Sequence, residues 1–184
     1  MKAPAKATDP VGRMLDGIDS LSLAGAWAAA LCIAAILGLI VAEVAARNLF
    51  NVSIDFAWEF SAFFMGAAFL LGAGYSLRAG AQIRVNVLLE NVPRPVSRAL
   101  DMLATLCGIA ICAYLAWALL QMAWLSWERN SRTDKASELP LWIPQLAMAL
   151  GAALLTLQTI GRLGRLMRNE PGDDPRLRQG LDIE

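Results

Sequence analysis

Histidine is absent from all 184 residues. That absence removes histidine-ligated haem, the usual catalytic zinc sites and every nucleophile that a histidine would activate. Cysteine is scarce. Cys32, Cys107 and Cys112 all lie in apolar runs without Cys-x-x-Cys spacing, so they read as small hydrophobes, not metal ligands. An excess of charge of either sign is also missing, because 16 Lys and Arg balance 16 Asp and Glu. A chain of that balance carries no electrostatic footprint for nucleic acid. It also contains no glycine-rich phosphate loop, no acid pair set for catalysis, no metal-ligand spacing and no long internal repeat, so no enzyme class is indicated.

Apolar residues are abundant. They make up 57% of the chain, above the roughly 45–50% of a soluble domain. Charged residues are only 17%, and they sit in blocks between four charge-free runs: 20–42, 60–77, 102–127 and 139–161. A helix needs about 20 residues to cross a hydrocarbon core about 30 Å thick, and an ionised group near its centre costs several kcal/mol (~2.5 to 17). Four soluble helices of this kind would have no polar face to offer water. The first run is too long for a cleavable signal, and Ala28-Ala29-Ala30 comes after only about seven apolar residues, so an uncleaved anchor is expected.

Lys and Arg give the orientation. Twelve lie in the two tails and in the loop between the second and third runs, against four in the other two loops. Trp58, Trp127 and Trp142 fall at the opposite, outer ends, where amphipathic rings prefer to sit. In the inner loop, helical spacing gathers Val85, Leu88, Leu89 and Val92 on one face, with Arg84, Asn86, Glu90 and Asn91 on the other. That pattern predicts a short helix lying in the interface plane. Pro93 and Pro95 end it, and Pro95 suits the opening of the next span. The expected architecture is an all-α integral membrane protein with both termini cytoplasmic. It has a tail over 1–19, transmembrane helices over 20–50, 56–78, 95–128 and 138–168, an interfacial amphipathic helix over 83–92, and a polar, disordered tail over 169–184.

Two constellations stand out. Small residues recur at every fourth position of the first span, at Ala26, Ala30, Ala34, Gly38, Ala42 and Ala46, and shorter versions include Ala62 with Gly66. Such stripes let helix backbones approach closely in lipid. The bland reading is compositional, since alanine is common in this chain. Glu43 and Arg47 lie one turn apart, within ion-pair reach. A lone intramembrane carboxylate could couple a proton in a small stand-alone exporter. A built-in ion pair is the wrong arrangement for loading and releasing a proton, so a structural pair is the preferred reading. A redox subunit is disfavoured by the lack of histidine. Glu59 in the first turn of the second span complements the helix dipole.

Two stretches carry a family resemblance. The first runs Ala57-Trp58-Glu59-Phe60, then Gly66-Ala67-Ala68, then Leu77-Arg78-Ala79-Gly80-Ala81-Gln82-Ile83-Arg84-Val85-Asn86-Val87. The second is Glu138-Leu139-Pro140-Leu141-Trp142-Ile143-Pro144-Gln145. In their order and spacing they resemble the DctQ-like small membrane subunit of the tripartite ATP-independent periplasmic (TRAP) transporters, over roughly residues 20–168. Departures from the family pattern are Gln82 in place of histidine, Asn86 in place of aspartate, and Phe60 in place of a second glutamate. The resemblance marks Trp58, Glu59, Arg84, Pro140, Trp142 and Pro144 as structural motif residues. It implies a non-enzymatic brace in the bacterial inner membrane. Its partners would be a much larger membrane subunit, which holds the substrate and sodium sites, and a periplasmic substrate-binding protein that delivers an organic acid. No cofactor is expected in this chain, and its remaining partner is the lipid bilayer.

If the amphipathic stretch anchors the brace, replacing Leu88→Asp together with Leu89→Asp abolishes assembly with the large subunit. Blue-native electrophoresis of solubilised membranes reads this directly, and an intact complex in the double variant would rule the anchor out.

Overall fold

The computed structural model describes residues 10–54, 56–80, 93–133, 138 and 140–168. The expected interfacial helix over 83–92, with Arg84, Val85, Leu88, Leu89 and Val92, lies outside the described residues, as do Gln82, Asn86 and the tail from 169 on. Four helices follow in order: α1 Pro10–Phe50, α2 Phe56–Arg78, α3 Arg94–Glu128 and α4 Trp142–Met167. All four are long and apolar enough to cross a membrane. Among the described residues there is no strand, only an isolated bridge between Arg132 and Pro140.

The helix ends follow from local chemistry. Asn51 and Asn130 take left-handed backbone angles (φ 52° and 48°) just beyond α1 and α3, and Gly80 (φ 68°) does so beyond α2. Asn and Gly are the residues that tolerate this conformation, and it stops a helix by turning the chain back on its last carbonyls. Val52 N–H then reaches Ala46 O at 3.4 Å, and Ser131 N–H reaches Ser126 O at 2.9 Å. Pro93 precedes α3, and a proline occupies its first turn, where a missing N–H costs nothing.

Two boundaries differ from expectation. α1 begins at Pro10, ten residues before the first charge-free run, because its inner face continues past the apolar stretch. Leu15 and Ile18 are buried there against Gly161, and Leu15 also approaches Gly164 of α4. The tail expected over 1–19 is therefore helical from Pro10. At about 1.5 Å per residue, α1 is roughly 60 Å long, twice the thickness of a hydrocarbon core. α4 begins at Trp142, not at 138. Pro140 stays outside the helix, and Leu141 N–H bonds instead to Ser131 O at 3.0 Å.

α2 sits between α1 and α4, α1 also touches α4, and α3 packs substantially on α4 alone. The closest approaches use glycine. A β-carbon placed on Gly25 of α1 would stand 2.8 Å from Leu71 O, and one on Gly151 of α4 would stand 2.8 Å from the Leu70 carbonyl carbon and Leu71 N. One turn of α2 backbone is thus pressed from both sides, which only residues without a side chain permit. A β-carbon on Gly66 of α2 would stand 2.7 Å from the sulfur of the Met148 side chain of α4.

Gly151→Ala forces α2 and α4 apart against backbone that cannot yield, so a loss of about 1–3 kcal/mol is expected. Gly38→Ala meets nothing within 4 Å and should be neutral or slightly stabilising. Thermal unfolding of both variants in one detergent tests the contrast, and equal melting temperatures would refute it.

Candidate functional site

The described charges concentrate at the two ends of the helix bundle. At the end carrying the N-terminus, Asp19 of α1 is buried and reaches two other helices. Its Oδ2 lies 2.9 Å from Arg78 Nη2 of α2, and its Oδ1 lies 2.6 Å from Arg165 Nη2 of α4. Gln158 of α4 donates from Nε2 to the same Oδ1 at 3.2 Å. Next to this group, Arg162 of α4 donates to Asp101 Oδ1 of α3 at 2.9 Å. Arg98 of α3 donates to Leu166 O, one of the last carbonyls of α4, at 3.1 Å. Two carboxylates thus hold all four helices together at one level.

The packing beneath Asp19 is polar as well. Gly74 of α2 faces Ser22 Oγ of α1 and the Gln158 Cβ of α4, so a larger side chain there would intrude between the two. Gln158 is only 1% exposed. Its Oε1 and Ser22 Oγ find no partner within the described residues. Burying charges is costly unless each is met by an opposite charge and by hydrogen bonds, which is the arrangement Asp19 has.

The other end is held by Glu43, also buried. Its carboxylate accepts from Arg47 at 2.5 Å and Ser53 Oγ at 3.1 Å through Oε1, and from Ile54 N–H at 2.5 Å through Oε2. The expected Glu43–Arg47 pair is present and extends into a lock on the α1–α2 turn. Asp19 to Glu43 spans 24 positions of α1, and Ile54 to Arg78 spans 24 positions of the returning segment, most of it α2. Both ends therefore enforce the same register of the antiparallel α1–α2 pair.

The α3–α4 turn is aromatic. Trp127 and Trp142 pack edge to face at 4.9 Å, and Trp124 Nε1 donates to Glu128 at 2.8 Å. Trp58 is exposed at the start of α2, Glu59 is in its first turn, and Pro144 lies in the first turn of α4. The small-residue stripe of α1 does not form the internal seam. Ala30, Ala34, Gly38 and Ala42 are exposed and Ala26 is only partly covered, while the buried face runs through Ser22, Gly25, Ala29 and Glu43. Among the described residues, nothing packs closely on the Ala30–Ala42 part of that stripe.

No group of three or more His, Cys, Asp or Glu side chains among the described residues is placed to hold a metal ion. Cys32, Cys107 and Cys112 are free thiols. Asp19, Asp101 and Gln158 did not stand out in the sequence. The available signal was positional: Asp19 and Arg78 bound the first two charge-free runs at the same end of the bundle, and Asp101 and Arg162 so bound the last two, with opposite signs in each pair.

Asp19→Ala leaves two arginines without their shared carboxylate, and a loss of about 3 kcal/mol is expected. Glu43→Gln should also lower the melting temperature, by weakening the turn. Circular dichroism melts in detergent give both values, and unchanged melting of Asp19→Ala would show that the clamp is not structural.

Four apolar helices tied by internal charge pairs describe a multi-pass membrane protein. No curated protein and no solved structure matches the chain. Residues 36–169 match the family model described as tripartite ATP-independent periplasmic transporters, DctQ component. That match takes in most of the chain, including the Glu43 lock, the Trp58–Glu59 helix start and the Asp101–Arg162 pair, and so this protein belongs to the DctQ component family, the small permease component of TRAP transporters.

Proposed function

We propose that the chain braces a much larger membrane subunit, one that holds the substrate and sodium sites, for uptake of an organic acid delivered by a periplasmic binding protein. It lies in the bacterial inner membrane with both termini in the cytoplasm, as the Lys and Arg distribution favours. The observation that carries the reading is the use of charge. The buried carboxylates Asp19 and Glu43 are engaged by arginines and hydrogen-bond donors of the chain itself. Asp19 joins α1 to α2 and α4, and Glu43 ties α1 to the turn that follows it, so the two maintain a fixed shape, which is what a brace needs.

The same observation disfavours a proton-coupled exporter working through Glu43. Three donors fix that carboxylate at a turn, and its release would open the α1–α2 register. On the brace reading no cofactor or ion belongs to this chain, and sodium binds the larger subunit.

A pull-down of the tagged, full-length chain from its native membrane in mild detergent tests the proposal, with mass spectrometry of the eluate. A large polytopic membrane protein in stoichiometric amount is the expected result. Recovery of the chain alone, under conditions that preserve other membrane complexes, would overturn it.

A further inference from the structure

α3 packs substantially on α4 alone, through a face that runs along Thr105, Cys112, Ala116, Ala123 and Ser126. On another face, turned well away from α4, a second stripe follows at alternating three- and four-residue steps: Tyr114, Trp117, Gln121, Trp124 and Glu128. Such steps keep residues on one side of a helix. Tyr114 is 68% exposed, Trp117 54% and Trp124 66%, and Gln121 is exposed between them. The Tyr114 and Trp117 rings lie against each other at 5.8 Å.

The depth of these residues is what makes them unusual. Asp101, in the ion pair with Arg162, and Glu128, at the helix end, mark the two ends of the apolar part of α3. Tyr114 lies midway between them. Trp117 is about 4 Å and Gln121 about 10 Å from that midpoint along the helix axis, at 1.5 Å per residue. Both distances fall inside the half-thickness of about 15 Å of a hydrocarbon core. Trp and Tyr facing lipid collect at the interfaces, where their polar atoms meet water or headgroups. Here a phenol, an indole N–H and a primary amide are displayed outward at hydrocarbon depth. Their side chains form no hydrogen bond within the described residues, whereas Trp124, nearer the end, has Glu128 as acceptor.

We propose that the Tyr114–Trp117–Gln121 stripe of α3 is a docking surface for a transmembrane helix of the large membrane subunit, which supplies hydrogen-bonding groups to Tyr114 Oη, Trp117 Nε1 and the Gln121 amide. The proposal rests on the brace reading for the identity of the partner. Lipid tails cannot hydrogen-bond these groups, and a polar group in hydrocarbon gains by finding one on another helix. Tyr and Trp with a polar tip are also the residue types that concentrate binding energy in protein interfaces.

The test uses the full-length chain co-expressed with the large subunit, after the wild-type pull-down has shown that the two associate. A photoreactive phenylalanine analogue is placed at position 117 or 121 on the stripe, and at Ile111 or Met122 on a different exposed face. Capture of the large subunit from 117 and 121, and not from 111 or 122, is expected. Tyr114→Phe combined with Gln121→Leu preserves most of the volume and should weaken the apparent affinity roughly five- to tenfold, the scale of two interhelical hydrogen bonds. Capture of a second copy of this chain, capture from all four positions alike, or no protein adduct from 117 and 121 would overturn the stripe while leaving the brace reading intact. Unchanged affinity of the double variant would do the same. Failure of wild-type association would remove both.

Discussion

The shape of this protein depends on one carboxylate. Asp19 holds Arg78 of α2 and Arg165 and Gln158 of α4, so three helices meet at a single pair of oxygen atoms. In lipid there is no hydrophobic force to press one helix against another, because tails are as apolar as side chains. Helix association then relies on close backbone contact and on polar groups that have nowhere else to go. Asp19 supplies the second of these at one level of the bundle, and the Gly25–Leu71 and Gly151–Leu70 approaches supply the first above it. Each supports the other, because the ion pairs and the close approaches favour the same register of α1, α2 and α4.

The far ends are secured by different means. The α1–α2 turn is closed by a second buried carboxylate, Glu43, and the α3–α4 turn by an edge-to-face tryptophan pair and a short bridge. α1 and α2 are thereby locked at both ends. α3 is held to α4 by Asp101 at one end and by Trp127 at the other, with a seam of small residues between, and much of its remaining surface faces outward. A body built this way is a stiff, open array of helices. That suits the brace proposed above.

Much of the fold is legible in the sequence. The four spans appear as charge-free runs because the bilayer excludes charge, and α2 follows its run closely. The Glu43–Arg47 pair was legible because it is local, four residues apart on one helix. The limits appear where distant parts of the chain meet. α1 extends to Pro10 because Leu15 and Ile18 find glycines of α4 to cover, a fact no periodicity in α1 alone contains. The six-member small-residue stripe was conspicuous, but much of it faces outward, while the less regular run of Ser22, Gly25 and Ala29 is buried.

The sequence by itself determined that this is a membrane chain of four helices, where the spans lie, and which family its motif order resembles. All of these are set by local composition against a solvent that punishes charge. Only the tertiary structure decided which face of each helix turns inward and which charges pair. A salt bridge between Asp19 and Arg165 depends on two helices crossing at one height, and that height is set by glycine contacts and turn locks spread over the whole chain.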